Sequence, residues 1–256
     1  MPEVTSYATG RPCWADVTAP DVDAAASFYS ELFGWQADKA PQPEAGGYTM
    51  FSKDGKYTAA ASPPPPGQES VPPHWTVYLA ADDAGAIATR VREAGGTVLM
   101  EPFDVFDSGR MTVALDPTGA AFGVWQAGTH VGSQLRGEPG TMNWAEVQTR
   151  DPAAARRFYE QVFGVETEAM DMGGGGEYVL LKVGGESAAG LIEIGEDWGD
   201  VPSNWSVVFE VADCDAAVAG VQELGGGVLR EPADIPGVGR FAVVADPWGA
   251  AFQVIT

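Results

Sequence analysis

The chain has 256 residues, 45% of them hydrophobic, with 36 acidic against 14 basic side chains and a formal net charge of −22. That balance argues against nucleic acid and anionic membranes as partners, since both require basic patches, and it favours cationic ligands. There is no apolar run of about 18 residues and no charged-then-apolar leader, so the expectation is a cytoplasmic protein with no membrane span.

Residues 13–19 read as a strand that closes at Ala19-Pro20. Asp21 is a good N-cap, and Val22, Ala25, Phe28, Tyr29, Leu32 and Phe33 then recur at helical spacing until Gly34 stops the helix. Strands are predicted at about 35–40, 47–53 and 56–62, the last two joined by Asp54-Gly55, a hairpin signal. Pro63 to Pro66 and Pro72-Pro73 form a stiff connector that cannot enter a sheet interior. The order then begins again, with a strand at 74–81, a helix at 83–94 ended by Gly95-Gly96, and strands near 97–101, 109–115 and 120–126. Asp116-Pro117-Thr118-Gly119 makes the turn before the last strand. Residues 127–141, rich in Gly, read as a linker.

A shift of 130 positions then lays the second half on the first without a gap. Trp14-Ala15-Asp16-Val17 falls on Trp144-Ala145-Glu146-Val147, Phe28-Tyr29 on Phe158-Tyr159, Trp75 on Trp205, and Gly109-Arg110 on Gly239-Arg240. Asp116-Pro117 with Gly119-Ala120-Ala121-Phe122 falls on Asp246-Pro247 with Gly249-Ala250-Ala251-Phe252. A repeat of this length is a duplicated domain, which divides the chain into 1–126, the linker 127–141, and 142–256. Two nearly identical surfaces pair isologously, so an intrachain pseudo-dimer about a pseudo-twofold axis is expected, the whole chain being a monomer or a homodimer. Two cysteines cannot build a disulfide framework, and neither belongs to the shared plan: Cys13 aligns with Asn143 and Cys214 with Ala84. Cys214 follows Asp213 at a predicted helix start, where the dipole favours a thiolate, although an incidental buried thiol is the simpler reading.

Four β-α-β-β-β units, paired within each half, resemble the vicinal oxygen chelate superfamily of glyoxalase I, bleomycin-resistance proteins and extradiol dioxygenases. Asp21 leading to Phe28-Tyr29 and Phe33-Gly34, Asp83 leading to Gly95-Gly96, and Asp116-Pro117-Thr118-Gly119 carry the resemblance, each with its twin. The tandem arrangement is similar to actinobacterial two-domain glyoxalase-like proteins. The resemblance implies an α+β fold of two tandem domains, each curling two βαβββ units into a mixed sheet around a cavity with helices outside. It also implies metal ligands, commonly His, His and Glu, on the first, fifth and eighth strands. Those positions fall on Trp14, Thr76 and Gly123, and on Trp144, Ser206 and Gln253 in the second copy. The fourth-strand position lies within 58–61 or 188–191, where no strong ligand occurs. Indole and glycine do not bind divalent ions, and hydroxyl and amide groups do so weakly, so no metal and no cofactor are expected. Of the two histidines, His74 shares the strand parity of Thr76, while His130 lies in the linker with no twin.

Strand alternation then sets the faces. With position 14 turned inward, the first cavity receives Trp14, Asp16, Thr76, Tyr78, Gly123 and Trp125, with His74 at its edge. The second receives Trp144, Glu146, Gln148, Ser206, Glu210 and Gln253. For Asp16 and Glu146 the favoured expectation is an ion pair with Arg110 and Arg240, because a carboxylate inside a sheet cavity is costly unless paired. Two functions fit. In the first, the protein binds or sequesters a flat small molecule, cationic or neutral, in a metal-free aromatic cavity, as bleomycin-resistance relatives do. In the second, it is a metal-independent enzyme (an isomerase, lyase or hydroxylase-type tailoring enzyme) with Asp16 or Glu146 as general base, assisted by Tyr78. A metal-dependent glyoxalase or dioxygenase fits less well.

Overall fold

Each copy of the repeat builds one eight-stranded mixed sheet in the computed structural model, which describes residues 3–171 and 177–256. The first copy runs β1 (Pro12–Thr18), α1 (Val22–Phe33), β2 (Gln36–Lys39), β3 (Thr49–Lys53), β4 (Lys56–Ser62), β5 (His74–Ala80), α2 (Ala84–Glu93), β6 (Thr97–Val105), β7 (Gly109–Leu115) and β8 (Ala121–Ala127). The second runs β9 (Thr141–Thr149), α3 (Pro152–Phe163), β10 (Glu166–Asp171), β11 (Glu177–Val183), β12 (Glu186–Glu193), β13 (Asn204–Glu210), α4 (Cys214–Glu223), β14 (Gly227–Ile235), β15 (Gly239–Ala245) and β16 (Ala251–Ile255). Strand order is β2-β3-β4-β1-β5-β8-β7-β6 in one sheet and β10-β11-β12-β9-β13-β16-β15-β14 in the other. The fold is therefore α+β, two copies of paired βαβββ units.

Local chemistry sets the element ends. The Asp21, Asp83, Asp151 and Asp213 carboxylates each accept from the backbone N–H three residues on and so cap the four helices. Gly34 and Gly164 end α1 and α3 in the left-handed conformation. Asp54 and Gly55, at φ 52° and 73°, make the tight β3–β4 hairpin. The strand expected near 97–101 runs on as β6 to Val105, through Pro102. It can do so because β6 is the edge of its sheet, and its pairing with β7 shifts register on either side of Met100.

Within each copy the two units join through antiparallel β1–β5 and β9–β13 pairs, which set Trp14 opposite Tyr78 and Asp16 opposite Thr76. One face of the first sheet carries Ala15, Val17, Trp75, Val77, Leu79, Phe122 and Val124 into a single apolar core shared with the second copy. The other face carries Trp14, Ala60, Tyr78, Ala80 and Trp125, which form a separate cluster.

The shared core is stitched by reciprocal contacts. The Tyr29 hydroxyl donates to Asp246 Oδ2 at 2.9 Å, and its twin Tyr159 donates to Asp116 Oδ2 at 2.9 Å. Each tyrosine oxygen also accepts from an indole of its own copy, Trp75 at 3.1 Å and Trp205 at 2.7 Å. Phe33 packs on Phe252, and Phe163 on Phe122, in the same crossed manner. Exchange of the two copies maps each of these contacts onto its counterpart, which is the pattern of a pseudo-twofold axis.

Both tyrosine hydroxyls are buried between a donor and an acceptor. Their removal leaves an indole N–H and a carboxylate oxygen without partners, at a cost of about 1–3 kcal/mol. Tyr29→Phe and Tyr159→Phe should each lower the melting temperature by several degrees while the far-ultraviolet dichroism of the folded state is kept. Equal melting of both variants and the parent would remove these bonds from any role in stability.

Candidate functional site

β1 carries Trp14 and Asp16 on one face, two residues apart, and the neighbouring strands bring donors to them. The Trp14 indole N–H donates to the Tyr48 hydroxyl at 3.0 Å. Tyr48 donates in turn to Asp16 Oδ2 at 3.1 Å, and Tyr78 donates to the same oxygen at 3.0 Å. Asp16 is only 5% exposed, so it is a buried carboxylate held by two phenols, and among the described residues no cation pairs with it. Burial pushes its pKa up to about 7, against the smaller downward pull of the two tyrosine bonds. Burial, and then the charge on Asp16, hold both phenols well above the ordinary tyrosine value, so they remain donors. Trp125 and the linker residue His130 complete the aromatic group: the His130 ring lies against both indoles, with centroids 4.5 Å from Trp14 and 5.6 Å from Trp125.

The second copy repeats the indole–phenol–carboxylate relay. Trp144 donates to the Tyr178 hydroxyl at 2.8 Å, and Tyr178 donates to Glu146 Oε2 at 3.0 Å. Gly190 on β12 makes room for it, since a Cβ there would collide with the Tyr178 hydroxyl. The remaining donors differ. Gln148 and Gln253 each donate a side-chain amide to Glu146 Oε1, at 3.0 and 2.8 Å, and Gln253 also donates to Ser206 Oγ at 3.0 Å. The change is a swap across one strand pair. Tyr78 lies opposite Gly123 and Val208 opposite Gln253, so each pair holds one large polar side chain and one small or apolar one. In the first copy the donor comes from β5 and its ring lies over Gly123; in the second it comes from β16.

Of the residues singled out in the sequence, Trp14, Asp16, Tyr78, Gly123 and Trp125 come together, as do Trp144, Glu146, Ser206 and Gln253. Thr76 lies opposite Asp16 in the ladder but is only half-buried. His74 sits at the first residue of β5, its ring bonded locally to the Pro72 carbonyl at 2.9 Å, away from the carboxylate. Glu210 ends β13 and accepts from Asn143 at 3.0 Å, so it does not join the Glu146 network. The expected ion pairs do not form. Arg110 binds Asp104, and Arg240 binds Asp215 and Asp234, because both arginines lie at the sheet edge hairpins rather than over β1 or β9. Cys214 is buried, and burial followed by Asp215 raises its thiol pKa, which overrides the helix dipole. Tyr48, Tyr178 and His130 were missed. The first two were findable, since the 130-residue shift that aligns the tryptophans also aligns these tyrosines.

The positions at which the resemblance places metal ligands do not suit one. The Trp14 indole is bound to Tyr48, and a side chain on Gly123 would run into the Tyr78 ring. Among the described residues no three His, Cys, Asp or Glu side chains converge in a way that could hold a metal ion. Two surface clefts, of about 460 and 280 Å³, are lined by neither Trp14, Asp16, Tyr48 nor Tyr78. Asp16 and Glu146 are both buried among the side chains that bond them.

The raised Asp16 pKa has a thermodynamic sign. The folded chain holds this proton up to pH about 7 and the unfolded chain only to about 3.8, so the group's contribution is complete below about pH 4 and declines as pH rises to 7. At about 1.4 kcal/mol per unit, the loss over that window is on the order of 4 kcal/mol. Asp16→Asn keeps the shape and removes the proton equilibrium. Melting curves from pH 4 to 8 should show the parent losing stability relative to this variant, with no further relative loss above pH 8. A constant difference across the range would mean that Asp16 titrates normally.

Comparison with known proteins agrees with this architecture. The model of the Glyoxalase/Bleomycin resistance protein/Dioxygenase superfamily matches residues 12–124 and again 141–254. "Putative glyoxylase CFP32" of Mycobacterium tuberculosis is 45% identical over 257 residues, covering 100% of this chain and 98% of that protein. Anthracycline biosynthesis protein DnrV of Streptomyces peucetius is 45% identical over 264 residues, covering 98% of this chain and 95% of that protein. Among solved structures, a Mn(II)-bound glyoxalase from Novosphingobium aromaticivorans superposes with a TM-score of 0.65 at 16% identity, covering 96% of this chain and 82% of its own. A variant of homoprotocatechuate 2,3-dioxygenase from B. fuscum gives 0.66 at 14% identity, covering 100% and 74%. At such identities the structural likeness concerns the fold. With its family model matched twice, once over each sheet, the chain belongs to the glyoxalase/bleomycin resistance protein/dioxygenase superfamily.

Proposed function

We propose that the chain binds a flat aromatic small molecule at the Trp14–Asp16 face of its first sheet, without a metal. The observation that carries this reading is Asp16, a buried carboxylate beside an indole, with two phenols and no countercharge. A buried charge without a cation is costly, so a cationic or hydrogen-donating ligand gains from supplying what the protein lacks. An indole face adds about 0.5–2 kcal/mol for a cation. The Streptomyces relatives named for anthracycline biosynthesis support the ligand class. An anthracycline is a flat polycycle, and many carry an amino sugar that is cationic at neutral pH. The charge of −22 draws such cations to the chain.

A fluorescence titration with an amino-sugar anthracycline tests the reading. Trp14→Ala should weaken binding by roughly tenfold, about 1.4 kcal/mol, and Trp144→Ala by less. Asp16→Asn should weaken binding of the glycoside more than that of its sugar-free aglycone. Indifference of both ligands to Trp14→Ala and Asp16→Asn, in folded variants, would place binding elsewhere. Elemental analysis of chain purified without chelator or metal-affinity resin should find well under one Zn, Ni, Mn or Fe per chain.

A second reading rests on the same carboxylate. With a pKa near 7, Asp16 is matched to general-base work at neutral pH, with the Tyr78 hydroxyl as proton donor. On that reading any turnover rises with pH through about 7 and is abolished by Asp16→Asn, whereas pure sequestration leaves the ligand chemically unchanged at every pH.

A further inference from the structure

We propose that the imidazole of His130 occupies the ring subsite of the first cavity in the ligand-free chain, and that a planar aromatic ligand takes its place against Trp14. This rests on the reading of Trp14 and Asp16 given above, and it names where the ligand's ring lies and what must leave.

His130 belongs to neither sheet. It follows β8 on the linker, and its segment is tied down by the Thr129 and His130 N–H groups, which donate to Asp107 and Ser108 carbonyls at 3.0 Å each. The Trp125 indole N–H donates to the His130 carbonyl at 2.8 Å. These bonds carry the ring edge-on to Trp14, at 4.5 Å between centroids and 88° between planes, with Trp125 and Tyr57 at 5.6 and 6.0 Å. An edge-to-face arrangement among aromatic rings is the packing that a bound aromatic ligand would adopt. The imidazole does so incompletely, because its Nε2 is buried and has no hydrogen-bond partner among the described residues. A buried polar atom left unsatisfied costs about 1–3 kcal/mol, so this occupant is poorly matched to its site and can be displaced by a better one.

The second copy is the internal control. His130 has no twin, and among the described residues no aromatic ring packs on Trp144. Trp144 is half-buried, whereas Trp14 is 4% exposed. The linker ring is thus one of the groups over Trp14 that have no counterpart over Trp144, together with Tyr78 and Trp125, which Val208 and Ile255 replace in the second copy. The segment is bounded by Gly128 and Gly132. A Cβ on Gly128 would meet the Asp107 carbonyl and one on Gly132 the Cys13 carbonyl, so both glycines are needed for the covered state. Gly132, at φ +107°, adopts backbone that other residues rarely reach.

The chain has two histidines, so proton NMR reports on His130 directly. In the ligand-free protein its ring protons should be shifted by the indoles, and its pKa should lie near 4, burial alone being the cause. On saturation with an amino-sugar anthracycline those protons should move toward the positions of an exposed histidine, and the pKa should return to about 6.5. His130→Ala, which empties the subsite, should tighten binding by roughly three- to tenfold, and His130→Trp should weaken it. If the Trp14 indole proton responds to ligand while the His130 ring does not, the subsite assignment is wrong and the reading of Trp14 stands. If His130→Ala weakens binding in a folded protein, His130 contacts the ligand and is not displaced by it. If neither Trp14 nor His130 responds, the ligand class and the subsite fall together.

Discussion

Everything on the cavity side depends on a pair of carboxylates on the other side. Asp116 and Asp246 each divide their two oxygens between two jobs. Oδ1 of Asp116 gathers the Thr118 and Ala120 N–H groups of its own turn at 2.8 and 3.0 Å, and Oδ2 accepts from Tyr159 of the other copy. Asp246 does the same with Trp248, Ala250 and Tyr29. One oxygen therefore fixes where β8 or β16 begins, and the other fixes where the opposite copy's first helix sits. Because β8 lies beside β5, and β5 beside β1, the registers that set Gly123 against Tyr78 and Trp14 against Tyr78 follow from that start. The pseudo-twofold contact and the cavity geometry are two consequences of one hydrogen-bonded turn.

Duplication then allowed the two cavities to diverge without disturbing that frame. Both keep an indole, a phenol and a carboxylate in relay on the face turned away from the shared core. Beyond the trio the two copies differ in how completely the carboxylate is satisfied. Glu146 receives one phenol and two amides distributed over both oxygens, whereas Asp16 receives two phenols on a single oxygen. An amide–carboxylate network fully met by its own chain is a structural solution. A carboxylate met on one side only, with its proton raised toward neutral pH, is the arrangement found at sites that bind or transfer something.

How much of this the sequence disclosed follows from where each signal lives. Periodicity and capping are local, so α1 with Asp21 and Gly34, and the Asp54-Gly55 hairpin, were legible. The repeat was equally plain, and with it strand parity placed Trp14, Asp16, Tyr78 and Trp125 on one face. That Tyr48 and Tyr78 bond Asp16 was not read from the sequence, because the pairing depends on which strands lie beside β1, although the repeat marks Tyr48 with its twin Tyr178 and parity marks Tyr78. Arg110 was the expected partner on grounds of charge, but it sits on the β6–β7 hairpin, where Asp104 is nearer. Glu210 shares the parity of Ser206 and is nevertheless at the wrong end of β13, since parity fixes a face and says nothing of depth. His130 left no signal at all, since a linker residue without a twin has neither periodicity nor a counterpart.

That last failure bears on how a paired fold acquires a function. Positions shared by both copies, such as the Trp14–Tyr48–Asp16 relay and its twin, do not distinguish one site from the other. Asymmetry has to be sought where the copies are not equivalent, in substitutions within the sheets and in the linker that joins them. By folding back over the first sheet the linker lays a ring against Trp14 that Trp144 lacks, and among the described residues the Nε2 of that ring finds no partner. A segment selected only to join two domains has no reason to bury an unsatisfied nitrogen against two indoles. A polar or small residue would span the same distance at lower cost. The linker ring over Trp14 thus adds to the differences within the sheets, Tyr78 against Val208 and Gly123 against Gln253, that distinguish one site from the other.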